Sequence, residues 1–303
     1  MVIVRLWGGL GNQMFQYAFG YAMARELNVK LKLDTRFFTD EYIERNKHFS
    51  KQELNLFQLP IKYRTEVNRD GSYKGISALQ NRQISRLIRI PPRFSIITES
   101  GLVYIKETRL DYLKYLADNP VNNAYYDGYW QSEEYFKKYK DELKIQFTLD
   151  NSRVNEYVNR TGINCTNSVA VHMRMGDYVN SKKLLRNYNY IINPVYYIKA
   201  MDRIKNEIDS PKFFIFSNNI KKAMELLDDR YDVVFVNSDR YYSDVEEFSI
   251  MSQCSNHIIS NSTFSWWAAW LGNNDNSIKI APDVFFGNKS IVPKSWIKVP
   301  LDK

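Results

Sequence analysis

The chain has 303 residues, enough for about two domains that each bury a core of their own. Hydrophobic residues make up 44% and charged residues 25%, which excludes a collagen, a coiled coil and an extensively disordered chain. The net charge of +8 is typical of a protein with an anionic partner, which on composition is nucleic acid, an acidic membrane surface or a phosphorylated small molecule.

The cysteine count and the hydropathy pattern indicate a cellular compartment. Cys165 and Cys254 are too few for a disulfide framework or a four-cysteine zinc site, which fits a reducing compartment. No apolar run approaches the roughly 20 residues that a bilayer-spanning helix needs, and the amino terminus lacks a signal-peptide pattern. We therefore expect a cytoplasmic protein that is soluble or bound at a membrane surface.

The first elements form a predicted βαβ unit with a glycine-rich turn. The pattern predicts a strand over residues 2–6, a loop over 7–13, a helix over 14–27 and a strand over 29–33. The loop lies where a backbone approaches a diphosphate at a helix N-terminus, although Met14 replaces the third glycine of a dinucleotide fingerprint. A tight turn without a ligand is the alternative. The weaker patterns up to about residue 150 predict mixed α/β structure with long loops.

Strands and helices alternate regularly in the second half of the chain. The predicted strands are 168–173, 213–216, 232–236, 257–260 and 278–281, and the predicted helices are 194–208, 221–227, 243–254 and 263–271. This alternation predicts a parallel sheet with right-handed crossovers. Two such units joined near residue 150 predict a cleft, with ligands at the carboxyl ends of the strands.

Two segments of this half carry candidate chemistry. His172, Arg174 and Asp177 follow a strand, where the arginine would hold a phosphate and the other two would order it or exchange protons. An Arg–Asp pair that only fixes a loop is an equal alternative. The second segment, 261–271, opens with Asn, Ser and Thr, and these N-cap residues leave backbone N–H groups for an anion. Its tryptophans at 266, 267 and 270 are predicted to be core.

Other features argue against a metal site, and one basic segment has two possible roles. There is no Asp-x-Asp in the sequence, and a total of three histidines argues against a catalytic zinc site. Arginines at 82, 86, 89 and 93 fit an amphipathic helix on an anionic membrane, or the solvated face of a domain.

Three segments in this order and spacing resemble the bacterial α-1,2-fucosyltransferases of the GT11 glycosyltransferase family, over residues 2–282. They are GGLGNQMFQYA at 8–18, HMRMGDY at 172–178 and SNSTFSWWAAWL at 260–271. The resemblance implies a GT-B-like α/β fold of two Rossmann-like domains with a cleft between them. Residues 1–150 would be the acceptor-side domain and residues 151–303 the GDP-fucose-binding domain, with the last residues packing back on the first domain.

The resemblance also implies a reaction. The enzyme would move L-fucose from GDP-fucose to the 2-hydroxyl of a terminal galactose in a β-galactoside acceptor glycan, with inversion and without a cofactor or metal. The expected setting is bacterial surface polysaccharide (O-antigen) synthesis, at the inner face of the membrane with peripheral contact. The alternatives are a related transferase with another sugar nucleotide or linkage, and a nucleic-acid-binding protein, for which no repeated basic and aromatic module is visible.

The site residues implied by the resemblance lie mostly in the second half of the chain. Arg174 would hold the donor diphosphate and stabilise the departing GDP. The other candidate catalytic residues are His172, Asp177 and Glu247, and a donor phosphate oxygen is an alternative base. The further predicted GDP-fucose contacts are Gly9, Gly11, Asn12, Gln13, Ser217, Asn261, Ser262, Thr263, Phe264 and Ser265.

The chain departs from the family pattern at three points. Met175 replaces the usual second arginine, so Arg174 should matter more. Asn218 and Asn219 replace two aspartates, which argues against nucleotide contacts through carboxylates there. Glu247 replaces an aspartate and has a longer reach to the same partner.

Overall fold

The computed structural model describes most of the chain. The described residues are 1–39, 53–63, 94–99 (backbone only), 102–108, 110–175, 192–227, 229–272, 276–285, 288 and 290–301. The predicted basic helix near residues 82–90 and the candidate catalytic residue Asp177 lie outside these ranges.

The chain divides into two compact units. One unit is Met1–Phe147 with Asn288–Ile291, and the other is Thr148–Gly287 with Val292–Lys303. The chain thus returns briefly to the first unit through Asn288–Ile291, whereas its last residues belong to the second.

The first unit is built on a sheet with the strand order β2-β1-β5-β4-β3 among the described residues. Its strands are β1 (Val2–Arg5), β2 (Leu31–Asp34), β3 (Phe94–Glu99), β4 (Leu102–Glu107) and β5 (Ala124–Asp127). The β3–β4 pair is antiparallel, and the other pairs are parallel. The helices are α1 (Leu10–Glu26), α2 (Lys114–Asp118) and α3 (Lys140–Phe147), with 3-10 turns at Arg36–Phe38, Asn55–Gln58, Glu133–Tyr135 and Lys137–Tyr139.

Helix α1 begins four residues earlier than the sequence pattern predicts, so part of the predicted loop 7–13 is helical. Gly9 is the N-cap residue in an extended conformation, and its carbonyl accepts hydrogen bonds from the N–H groups of Asn12 (3.0 Å) and Gln13 (3.1 Å). The prediction of a loop up to residue 13 was wrong because these polar side chains interrupt the apolar period without interrupting the helix. Gly20 lets α1 approach β1, since a Cβ there would lie 2.5 Å from a methyl carbon of Val4.

The second unit contains a parallel sheet with the order β11-β10-β9-β6-β7-β8 among the described residues. Its strands are β6 (Ser168–Met173), β7 (Lys212–Ser217), β8 (Asp232–Phe235), β9 (Asn256–Ile258), β10 (Lys279–Pro282) and β11 (Ile297–Val299). Its helices are α4 (Ser152–Thr161), α5 (Pro194–Glu207), α6 (Ile220–Leu226), α7 (Asp244–Ser252) and α8 (Thr263–Leu271). The predicted α/β class with a parallel sheet is confirmed.

The ends of these helices carry the expected capping chemistry. The Asn193 side chain accepts a hydrogen bond from the N–H of Val195, and Pro194 occupies the first helical position of α5. Ser243 and Glu246 form a reciprocal capping box at the start of α7. The pattern missed α4 although Asn151 caps its start and Gly162, in the left-handed conformation, caps its end.

The cores explain which aromatic residues are structural. The side chains of Trp266 and Trp267 are fully buried, as predicted, and their rings meet edge to face at 5.0 Å. Tyr196 and Tyr197 of α5 belong to the core cluster that also holds alternate residues of β6, such as Val171. The carboxyl end of β6 is therefore anchored from inside the unit.

Candidate active site

The carboxyl ends of β6 and β7 lie side by side and are tied together. The Ser217 hydroxyl donates a hydrogen bond to the carbonyl of Met173 (2.7 Å), and the side-chain oxygen of Asn218 accepts one from the N–H of Met175 (2.8 Å). Ser217 is buried and turned toward the neighbouring strand end. Ser217 thus links the two strand ends, and its contact with GDP-fucose stays a prediction.

Arg174 follows directly after β6, and its backbone is held by a hydrogen bond to α5. Its N–H group donates a hydrogen bond to the hydroxyl of Tyr197 on α5 (3.2 Å). Burial raises the pKa of Tyr197, so this phenol stays neutral. A core residue of the second unit thus fixes the position of the Arg174 N–H group.

His172 joins β6 to the segment that precedes α8. Its Nδ1 lies 2.8 Å from the hydroxyl oxygen of Ser260, and which of the two donates depends on the imidazole tautomer. Burial, and then the charge of Arg174, lowers the pKa of His172 to about 3. An effective general base has a pKa near the working pH, so a neutral His172 is better suited to orient its neighbours than to take a proton.

The N-terminus of α8 lies beside His172. The Phe264 ring in the first turn is 5.9 Å from the His172 ring, centroid to centroid. Ser262 is the N-cap residue, but its side chain makes no capping hydrogen bond, although a structural cap would make one. The N-terminus of α8 therefore lies near His172, two residues before Arg174, where a helix N-terminus favours negative charge.

The other predicted GDP-fucose contacts in this segment differ in how far they are buried. Asn261 and Ser265 are buried, whereas Thr263 and Phe264 are half-buried. The Ser265 hydroxyl donates a hydrogen bond back to the carbonyl of Ser262 (3.2 Å) and so supports the first turn of α8. Thr263 and Phe264 are the better placed of the four to meet a ligand.

Glu247 lies on α7, next to this helix end. Its Oε2 accepts a hydrogen bond of 2.5 Å from the side-chain nitrogen of Asn237, and burial raises the pKa of its carboxyl. The neighbouring Phe248 ring meets the Phe264 ring edge to face at 5.5 Å. The structure thus packs α7 against the first turn of α8 through Phe248, while the Glu247 side chain itself contacts Asn237.

The four predicted site residues of the first unit open α1. Gly9 is the N-cap, and Gly11, Asn12 and Gln13 form the first turn. The Asn12 side-chain oxygen accepts a hydrogen bond from Nε2 of Gln131 (3.0 Å). Asn12 is therefore oriented by a residue of another segment.

Gln13 has a different position from the one its predicted role requires. Its side chain is fully buried, and Nε2 donates to the carbonyls of Gly8 (2.8 Å) and Glu53 (2.9 Å). Its Oε1 accepts from the N–H of Leu56 (3.0 Å). Gln13 thus braces the glycine-rich turn against the 53–56 segment rather than facing a ligand.

The described residues offer neither a cluster of metal ligands nor a membrane-spanning helix. Among the described residues, no three histidine, cysteine or carboxylate side chains are grouped so that they could hold a metal ion. No helix in the described ranges combines the length and the apolar character that a membrane span requires.

Sequence reasoning missed three residues that organise this site. Tyr197 supports Arg174, Ser260 meets His172, and Asn218 holds Met175. Ser260 had a usable signal, because it closes a predicted strand next to the hydroxyl-rich segment. Tyr197 had none, since a tyrosine inside an amphipathic helix is indistinguishable from other core residues.

Comparisons with known proteins decide the family. The model of glycosyl transferase family 11 matches residues 1–299. The chain belongs to glycosyl transferase family 11. This finding confirms the resemblance of the three segments to that family.

Proteins similar to this chain have several names. An alpha-1,2-colitosyltransferase of Escherichia coli is 32% identical, covering 99% of both chains. The O-antigen biosynthesis glycosyltransferase WbnK of the same species is 28% identical, covering 97% of this chain and 99% of the relative. Among solved structures, the fucosyltransferase NodZ from Bradyrhizobium has a TM-score of 0.47 at 15% identity, covering 88% of this chain and 91% of that one.

Proposed function

We propose that this family 11 glycosyltransferase moves L-fucose from GDP-fucose to the 2-hydroxyl of a terminal galactose, with inversion. The observation that carries the proposal is the edge of the second sheet, where Arg174 follows β6 and the nearby His172 contacts Ser260 and Phe264 at the start of α8. A guanidinium and a helix N-terminus are both suited to a diphosphate.

In the transfer step, negative charge develops on the leaving GDP at this edge of the sheet. The 2-hydroxyl oxygen forms a bond to C1 of fucose while the bond from C1 to the diphosphate oxygen breaks, and GDP leaves with that electron pair. The negative charge that builds on GDP would be met by Arg174 and the N–H groups of α8, held in place before the reaction. We propose that no metal is needed because these groups do the work of a cation.

The proton of the acceptor hydroxyl needs a separate recipient. Among the described candidates, the pKa of Glu247 is raised by burial and that of His172 is lowered to about 3. A carboxylate with a raised pKa is the stronger base of the two at neutral pH. Asp177 and a phosphate oxygen of the donor are further candidates, and single Glu247→Gln and Asp177→Asn variants separate them.

A second donor is favoured by one of the relatives. The alpha-1,2-colitosyltransferase is similar over the whole chain, and colitose is L-fucose without its 3-hydroxyl. A site that hydrogen-bonds the 3-hydroxyl would prefer fucose by about 10⁴-fold or more, whereas an apolar site would discriminate weakly. The ratio of kcat/KM for GDP-fucose and GDP-colitose therefore decides between the two donors.

The acceptor side and the cellular setting are part of the proposal. The similarity to an O-antigen glycosyltransferase supports a role in surface polysaccharide synthesis. We propose that the first unit binds the β-galactoside acceptor. The net charge of +8 would favour peripheral contact with anionic lipids, which sedimentation with phosphatidylglycerol vesicles at low and high salt would measure.

One assay tests the reaction. Purified protein is mixed with GDP-fucose, lactose and EDTA, and released GDP and fucosylated lactose are quantified. We expect turnover without added metal and an α-1,2 linkage in the product by NMR. Failure on every β-galactoside tried with both GDP-fucose and GDP-colitose, or an absolute need for Mn²⁺, would contradict the proposal. A thermal-shift panel of GDP, ADP, UDP and CDP adds a donor test, in which GDP should stabilise most.

A further inference from the structure

The turn that follows β5 is held by a carboxylate of the neighbouring strand. Glu107 ends β4, and its Oε2 accepts hydrogen bonds from the N–H groups of Tyr129 (2.6 Å) and Trp130 (3.3 Å). One carboxylate oxygen thus binds two successive backbone amides. Charge-assisted hydrogen bonds of this kind are stronger than those between neutral groups.

The conformation of this turn depends on close contact with Glu107. Trp130 has φ +56°, in the left-handed region that residues other than glycine seldom adopt. A Cβ on Gly128 would lie 2.5 Å from Cβ of Glu107 and 2.8 Å from the indole of Trp130, so only glycine fits there. The N–H of Ser132 closes the turn on the carbonyl of Trp130 (3.0 Å).

The turn delivers Gln131 to the start of α1. Nε2 of Gln131 donates a hydrogen bond of 3.0 Å to the side-chain oxygen of Asn12, and Nδ2 of Asn288 donates one of 3.0 Å to the carbonyl of Gln131. With its oxygen directed to Gln131, the Asn12 amide has a fixed orientation.

We propose that Glu107 is a positioning residue for sugar transfer, because it holds the 128–132 turn so that Gln131 fixes the orientation of Asn12, a predicted contact of GDP-fucose. The inference rests on the proposed function through the role of Asn12. In this proposal Glu107 does not contact the donor itself and acts through the turn and through Gln131.

The charge state of Glu107 gives the proposal a pH dependence. Burial raises the pKa of its carboxyl to about 7, and the negative charges of Asp111 and Asp127 add to this, against the two backbone N–H groups. The influence of Asp127 is moderated by Arg5, 3.2 Å away, and the neighbouring Tyr135 stays neutral because burial raises its pKa. Above about pH 7 the charged carboxylate holds both amides strongly, and below it the protonated form holds them less well.

A double-mutant cycle separates positioning from a general loss of structure. Asn12→Ala and Glu107→Ala should each lower kcat/KM for GDP-fucose about tenfold or more. The double variant should have a kcat/KM no lower than that of the less active single variant, because the losses caused by two coupled residues do not add. Gln131→Ala should behave like Glu107→Ala. The matched control is Glu142→Gln, which removes a carboxylate 2.7 Å from Arg25 in the last turn of α1, at the opposite end from Asn12, and should leave kcat/KM unchanged.

The conservative variant Glu107→Gln keeps an acceptor oxygen and removes the titrating group. Because this side chain is neutral at every pH, kcat/KM of Glu107→Gln should stay near the reduced value that the unchanged enzyme reaches below pH 7, without the rise toward pH 8. It also keeps the test valid if Glu107→Ala does not fold. A pH profile identical to that of the unchanged enzyme, or losses that multiply in the double variant, would overturn the inference.

Amide hydrogen exchange without substrate makes the outcome independent of the donor. Peptides covering 128–132 and 8–13 should exchange faster in Glu107→Ala than in the unchanged protein, and Glu142→Gln should leave both unchanged. Equal exchange in Glu107→Ala refutes the inference whatever the reaction is. An enzyme that does not use GDP-fucose but shows faster exchange in both peptides refutes the proposed donor and leaves the positioning of Asn12 intact.

Discussion

Truncation of Arg174 is the most direct test of the candidate site. The backbone of Arg174 is held by the hydrogen bond from its N–H to Tyr197 and by the buried strand β6 before it. Removing the side chain should therefore leave the fold in place. Loss of one preorganised donor to a developing anion lowers turnover about 100- to 1,000-fold, or about 2.7–4 kcal/mol of transition-state stabilisation.

Two further variants sharpen this prediction. Arg174→Lys keeps the charge but loses the planar fork of donors, so it should recover only part of the rate. Arg203→Ala is the control, since Arg203 is a half-exposed arginine paired with Glu207 on α5 and lies in the same unit. It should keep the full rate.

The assay is release of GDP at saturating GDP-fucose and lactose in EDTA, with thermal unfolding to check each variant. Activity of Arg174→Ala within threefold of the unchanged enzyme would refute the assignment of Arg174 to the departing diphosphate. A matching loss in Arg203→Ala would show that the effect comes from charge in general rather than from this position.

The remaining predictions concern stability. Trp267→Ala should lower the free energy of unfolding by about 3–5 kcal/mol in urea titrations, because it empties a fully buried site; a loss below about 1 kcal/mol would contradict the packing. Gly20→Ala should cost about 1–3 kcal/mol, since its Cβ would lie 2.5 Å from Val4, and unchanged stability would show that α1 can move away from β1. Burial, and then the charge of Lys279, lowers the pKa of His257 to about 3, so the native state stays neutral while the unfolded state gains a proton below about pH 6.5. Stability should therefore fall as the pH drops from about 6.5 toward 3, by about 1.4 kcal/mol per pH unit for this residue, and His257→Gln should show a shallower slope; equal slopes would refute the neutral state.

Much of the second unit follows from local pattern. The strand over 168–173 and the helix over 263–271 have the bounds that the pattern predicts, because apolar period and capping residues act within a few positions of one another. The start of α1 was harder to predict from the sequence. Asn12 and Gln13 look like loop residues until their partners in distant segments are known.

The sequence by itself determined the α/β alternation, the parallel sheet of the second unit, the buried tryptophans and the family that its three segments resemble. The tertiary structure decided which polar groups meet. Ser260 reaches His172 across 88 positions of sequence, and Gln131 reaches Asn12 across 119. Another long-range contact joins Gln13 to the carbonyl of Glu53 across 40 positions. The physical reason is that periodicity reports only which side of an element is buried, whereas a hydrogen bond depends on where two separate elements end in space.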